Sequence, residues 1–299
     1  MRSILFRAFV STLALGAALG ASAQGEDVVV RGLRFPEGPV FVGDTLYFVD
    51  YATSDVLRLG GTRADVVWHR DGCGPNGLVA TPVGLLVACY DSASLVQISR
   101  DGKAVEVIRN DKTGHSFAAP NDLAADARGG VYFTASGDTS TPGKVFYRNA
   151  DRVVSEVASG IDYANGLVVS PDGLRLYVAE SRAGRLLVYS IAGDGALTNR
   201  REFVKLADIL DASRRTVFTP DGVRIDRHGN LFVGLYRGGG FVVISPSANL
   251  VKKVDLPSAH HANLAISPDG KNVFVTSTDD EPGGGYRGEL LKVANPIGE

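Results

Sequence analysis

Short runs of β-branched and aromatic residues recur along the chain, each bounded by Gly, Asp or Pro: LYFVD, LLVACY, VYFTAS, RLYVAES, NLFVG and NVFVTS. Runs of this length and composition, closed by turn residues, predict strands. No stretch keeps a 3.6-residue apolar period long enough to predict a full helix. The segment EFVKLADILDASRR is the exception that could hold a helical turn or a long surface loop. The chain therefore reads as mostly β.

The strands fall into a repeat. A polar residue and a small residue lead two or three apolar residues, then a turn, then a second apolar strand. The copies begin EGPVFVGDTLYFVD, NGLVATPVGLLVACY, NDLAADARGGVYFTAS, NGLVVSPDGLRLYVAE, DGVRIDRHGNLFVG and ANLAISPDGKNVFVTS. Their leading residues are Glu37, Asn76, Asn121, Asn165, Asp221 and Ala262, spaced 39, 45, 44, 56 and 41 residues apart. A period near 40–50 residues is that of a four-stranded propeller blade, so six copies predict an all-β, six-bladed β-propeller. The long spacing holds LADILDASRR, read as an insertion between two blades. The last copy has one further clear strand, GELLKV, whereas the early strand DVVVRGL belongs to no copy. A propeller must close its ring or leave strand edges exposed, and DVVVRGL is the candidate to complete the last blade.

Register separates aspartates that look alike. Pro-Asp-Gly occurs three times, but Asp172 and Asp269 each stand seven residues after a leading position, in the hairpin turn. Asp221 is itself a leading residue; the turn of its copy is Asp226-Arg227-His228-Gly229.

The first strand of each blade lines the channel, so residues at one blade position share one depth around the axis. Glu37, Asn76, Asn121, Asn165 and Asp221 are expected to converge there, with Ala262 closing the circle. Asn and Asp also cap ordinary turns, but a turn role gives no reason for Glu37 at the equivalent place. Two carboxylates and three carboxamides form a hard-oxygen set carrying two negative charges. This suits one divalent cation, Ca²⁺ first, with Mg²⁺, Mn²⁺ and Zn²⁺ also compatible.

Composition narrows the partners. A formal net charge of −2 with 21% charged residues gives no large basic surface, which argues against nucleic acid. Arg2 and Arg7, an apolar run to Gly20 and the small residues Ala21–Ala23 read as an export signal over residues 1–23, with the propeller occupying 24–299. The run is too short for a comfortable membrane span. A periplasmic or secreted location follows, with no membrane role and no obligate protein partner evident. Cys73 and Cys89 flank a predicted hairpin; in an oxidising compartment they could pair, and otherwise they are two buried thiols. His115 lies in the loop approaching Asn121, and Tyr163 in the loop entering the Asn165 strand. His260 and His261 directly precede Ala262, which nominates His261 for the channel mouth as well. Asn76, Tyr163, His115 and His261 are accordingly the candidate substrate contacts. His228 is read as a turn residue, and Thr278–Pro282 as a solvated acidic loop.

The segments FPEGPVF, APNDLAADARGGVYFT, YANGLVVSPDGLRLYVAES and TPDGVRIDRHGNLFV resemble the regucalcin/gluconolactonase (senescence marker protein) family, and the likeness runs from about Leu33 to Val293. The resemblance implies a six-bladed propeller with a divalent metal in the channel and sugar lactonases among its members. It implies Glu37, Asn165 and Asp221 as metal ligands, with Asn121 beside the metal contacting it or the substrate. Two departures concern the substrate: Ala119 stands where the regucalcin type has arginine, and Ala135 where bacterial relatives often have aspartate. The expected activity is hydrolysis of a small lactone or ester, with Asp221 as candidate base and Asn121 orienting the substrate. A phosphotriesterase-like hydrolase on the same residues, or a binding propeller whose cation only stiffens the channel, are the alternatives.

Overall fold

The computed structural model describes residues 26–211 and 218–298. The export signal read at 1–23 lies outside the described residues, as does part of the insertion, 212–217.

Six four-stranded antiparallel sheets are arranged as the repeat predicts. Blade 1 comprises Pro36–Val42, Thr45–Asp50, Asp55–Gly60 and Arg63–His69, and blade 2 Pro75–Ala80, Gly84–Cys89, Ser94–Ser99 and Ala104–Ile108. Blade 3 comprises Pro120–Ala125, Val131–Ala135, Gly143–Arg148 and Val154–Ile161, and blade 4 Ala164–Val169, Arg175–Glu180, Arg185–Ile191 and Leu197–Lys205. Blade 5 holds Thr219–Ile225, Leu231–Arg237, Gly240–Ile244 and Leu250–Asp255. Blade 6 takes Leu264–Ile266, Asn272–Asp280 and Tyr286–Ala294 from the C-terminal end and Asp27–Leu33 from the N-terminal end. That N-terminal strand pairs antiparallel with the last one, Asp27 opposite Lys292 and Leu33 opposite Gly288, so the ring closes through the strand the repeat left over.

The segment EFVKLADILDASRR divides into two parts. Its start, through Lys205, belongs to the outer strand of blade 4, and the insertion opens with Leu206–Ile209 as a single helical turn with Leu206 buried. No side-chain cap holds that turn; packing of Leu206, Ile209 and Leu210 between blades 4 and 5 does.

Apolar side chains are buried between blades. One cluster joins Tyr177, Leu186 and Val188 of blade 4 to Val223, Leu231 and Val233 of blade 5. Another joins Val30, Leu33 and Leu290 of blade 6 to Leu46, Phe48 and Leu57 of blade 1, sealing the closure with core rather than with hydrogen bonds alone. The Cys73–Cys89 disulfide forms within the cluster between blades 1 and 2, both residues fully buried. It links the approach to Asn76 with the strand end before Tyr90, and a loop of this length constrains the unfolded chain by about 3 kcal/mol.

The inner strands pack closely around the axis. A Cβ on Gly77 would lie 2.4 Å from the Asn121 carbonyl oxygen, and one on Gly166 would lie 2.2 Å from that of Asp221. Glycine follows these leading residues because the neighbouring strand's backbone occupies the space.

Candidate active site at the channel mouth

Glu37, Asn76, Asn121, Asn165 and Asp221 all line one cavity of about 590 Å³. Each stands second or third in the inner strand of blades 1 to 5. Ala262, the sixth leading residue, is buried just ahead of the inner strand of blade 6, and its carbonyl accepts the Gly222 amide at 2.8 Å. The five oxygen-bearing side chains therefore form a polar floor, open on the blade 6 side.

The floor is electrostatically demanding. Burial pushes the Glu37 carboxyl up to about 8, and the negative charge of Asp122 adds to this. The Gly38 amide donating to Oε2 at 3.1 Å, the Asn263 amide and the Arg224 guanidinium oppose the rise without cancelling it. Asp221 is raised well above the carboxylate range, first by burial and then by the charges of Glu37 and Asp122, with a hydrogen bond to Asn165 opposing. Two carboxyls that hinder one another's ionisation in a buried pocket lack a positive partner at the same depth. The donor set fits a divalent cation: oxygen atoms only, two of them carboxylates that gain by ionising together beside it. Among the described residues no three His, Cys, Asp or Glu side chains cluster as a metal site, so the fit depends on amide oxygens joining the two acids.

Asn121 is oriented by a relay. Its Nδ2 donates to Ser136 Oγ at 3.1 Å, and Ser136 donates to the Ala164 carbonyl at 2.9 Å. The relay turns the amide nitrogen toward blade 4 and frees the carbonyl oxygen for the cavity. Ser136 directly follows Ala135, the position noted as a departure from the resembled family, and supplies a polar contact from the next residue.

Of the other predicted contacts, Asn76 and Tyr163 reach the cavity wall. Tyr163 holds a left-handed backbone, φ 64°, as do Ala119 and Gly74 at the same place two residues before their leading asparagines. His115 is not brought there: its side chain is 73% exposed and bonds Thr113 Oγ1 at 2.8 Å within its own loop. Asp111 folds that loop back on itself by accepting the amides of Thr113 and His115. His261 is completely buried away from the cavity lining, and its amide donates to the Leu235 carbonyl. Burial holds its imidazole down at about 4, so it is neutral at physiological pH. His260 stacks flat on Tyr236, centroids 4.3 Å apart, and supports the wall from behind.

Sequence reasoning missed most of the wall, which Phe35, Tyr51, Tyr90, Tyr236 and Tyr286 complete. A repeat signal existed. At one equivalent position, just past the second strand in blades 1 to 4 and within its end in blade 5, stand Tyr51, Tyr90, Ser136, Ser181 and Tyr236. In the first four, its amide donates to the residue two before the leading position: Tyr51 to Phe35, Tyr90 to Gly74, Ser136 to Ala119 and Ser181 to Tyr163. Tyr286 arrives from the hairpin after Asp279 and Asp280, whose acidic character pointed to solvent.

The family described as the SMP-30/gluconolactonase/LRE-like region matches residues 35–279. The chain belongs to that family. It is 27% identical to a gluconolactonase of Zymomonas mobilis over 84% of this chain and 78% of that protein. It is 26% identical to the pentonolactonase XacC of Haloferax volcanii, covering 88% of this chain and 87% of the relative. Among solved structures, a gluconolactonase from Xanthomonas campestris superposes with a TM-score of 0.73 at 22% identity, over 90% of this chain and 89% of the other. A calcium-binding regucalcin from Agrobacterium tumefaciens gives 0.65 at 18% identity, over 88% of this chain and 95% of that one. These superpositions agree on the six-bladed fold.

Proposed function

We propose that this protein is a metal-dependent lactonase that opens a small lactone at the channel mouth. The observation that carries the reading is the floor: two buried carboxyls and three carboxamides converge at the base of an open cavity of about 590 Å³. A propeller used only as a scaffold would be expected to fill this channel with apolar side chains. The lactonases among its relatives support the same reading, and the calcium-binding regucalcin supports Ca²⁺ as the cation.

Glu37, Asn165 and Asp221 would hold the cation, with Asn121 at its side. A divalent cation bound there would polarise the lactone carbonyl and stabilise negative charge developing on its oxygen. Asn121, fixed by Ser136, orients the ester group against the floor. Water adds to the carbonyl carbon and gives up its proton to the Asp221 carboxylate. The ring C–O bond then breaks, and the leaving alkoxide takes that proton back from Asp221 to complete the hydroxy acid and restore the carboxylate. Phe35, Tyr51 and Tyr236 surround the reacting group and limit bulk water around it.

A lactone panel assayed by acid release, with and without chelator and with Ca²⁺ or Mn²⁺ restored, tests this. Chelator-sensitive turnover that returns with the cation is expected; no such turnover on any lactone removes the lactonase reading. An oxidising, exported location is part of the same proposal and is supported by the Cys73–Cys89 bond.

A further inference from the structure

Above the floor the cavity changes character. Among the described residues its only carboxylates, Glu37 and Asp221, both lie on the floor, so the described wall offers no acidic acceptor for a ligand's hydroxyl groups. Phe35, Tyr51, Tyr90, Tyr163, Tyr236 and Tyr286 make an aromatic arc in that wall, and Ser181, Arg182, Thr219 and Arg237 line its blade 4 and 5 side. Their rings are coupled edge to face: Phe35 lies 5.7 Å from Tyr51 and 4.7 Å from Tyr286, and Tyr51 lies 6.2 Å from Tyr90.

The polar ends of this arc are largely committed. Tyr51 donates to Asp91 at 2.8 Å, and the Tyr90 and Tyr163 hydroxyls bond one another at 3.2 Å. Ser181, between blades 4 and 5, donates to the Pro220 carbonyl at 2.6 Å. The arc is also braced: the Arg182 guanidinium sits 5.0 Å from the Tyr163 ring centre, and His260 stacks behind Tyr236. Hydroxyl groups set against Phe35 and the committed Tyr51, Tyr90 and Tyr163 would surrender water and find few partners there. A flat apolar ring would gain contact with braced aromatic faces.

We infer that the substrate is a lactone bearing an aromatic ring, its carbonyl set on the polar floor and its ring against the tyrosine arc. The inference rests on the lactonase reading and names the substrate class for that site. A cavity of this volume holds a two-ring ligand.

The test compares kcat/KM of the cation-loaded wild type on three lactones: δ-valerolactone, the same lactone with a phenyl group on its δ-carbon, and δ-gluconolactone. The phenyl compound is expected to exceed both others by about tenfold or more, chiefly through a lower KM. Tyr90→Leu and Tyr236→Leu, which keep apolar bulk but remove a ring face, are expected to lower the ratio of phenyl to unsubstituted lactone roughly three- to tenfold each. A preference for gluconolactone, or a phenyl-to-unsubstituted ratio near one, overturns the inference and leaves the lactonase reading standing. Absence of turnover on all three overturns the lactonase reading and the inference with it. If the leucine variants do not fold, the wild-type ratios decide alone.

Discussion

Glu37 and Asp221 on the cavity floor and Asp122, one residue past a leading position, are all buried acids, but only Asp122 has a guanidinium of the protein in hydrogen-bond contact. Arg224 meets it from blade 5 with Nη1 at 2.9 Å from Oδ2 and Nη2 at 3.4 Å from Oδ1, a forked contact that reaches past blade 4 to join blades 3 and 5. A forked guanidinium–carboxylate contact is among the stronger charge-assisted pairs. The floor acids receive amides instead: Gly38 and Asn263 at Glu37, Asn165 at Asp221. Amide dipoles ease a buried charge but do not neutralise it. The channel therefore settles one acid internally and leaves two for a ligand from outside. That difference between neighbouring layers is what the proposed cation would answer.

The largest effect is expected from Asp221→Asn, which keeps the shape of the floor and removes one of its two charges. Cation-dependent kcat/KM should fall by roughly a thousandfold, in the range seen when one key electrostatic group is lost from an active site. The sign of the stability change should be the reverse in metal-free protein. There the variant's thermal midpoint should rise, because two buried carboxyls no longer oppose each other. Adding Ca²⁺ should raise the wild-type midpoint and leave the variant unmoved, since only a state that binds the ligand is stabilised by it. A variant that keeps both its activity and its Ca²⁺-induced shift would place the cation elsewhere.

The paired layer should respond in the opposite sense. Arg224→Met leaves Asp122 buried without its partner and is expected to cost about 3 kcal/mol of stability by urea unfolding. Asp122→Asn combined with Arg224→Met should recover most of that loss, because the stranded charge is gone. Equal losses in the single and double variants would show that the two side chains act through packing and not through charge.

How much of this the sequence carried depends on the kind of order involved. Leading residues repeat at blade spacing, so their convergence was legible, and register alone separated Asp221 from the turn residues Asp172 and Asp269. In the structure Asp172 and Asp269 accept hydrogen bonds from Ser170 and Ser267 inside their own turns. The ring closure was legible because one strand had no blade. The histidine candidates failed because proximity in sequence to a leading residue does not set direction. One residue before Ala262 the chain still runs inside the protein, which buries His261. His115 sits on a loop that Asp111 turns away. The aromatic wall was hidden for a different reason. Its tyrosines stand at strand ends, where an aromatic ring reads equally well as interblade core, and only three of blades 1 to 5 carry one there.

Asn263 joins the two layers and gives the finest test of the comparison. It occupies in blade 6 the position that glycine fills in four blades and Asp122 in blade 3, and it is 2% exposed. Its Oδ1 accepts the Leu264 amide at 2.9 Å, which turns the nitrogen end toward Glu37. A residue that holds a ligand carboxylate without touching the cation tunes affinity by about ten- to a hundredfold. Asn263→Ala should therefore weaken Ca²⁺ binding by about tenfold in titration calorimetry. The lost bond to Leu264 should by itself cost about 1 kcal/mol of stability in metal-free protein. The two readouts separate the roles of the side chain. A stability loss with unchanged Ca²⁺ affinity would make Asn263 a structural cap of its strand; weakened affinity shows that blade 6, which contributes no oxygen from Ala262, still shapes the floor through Glu37.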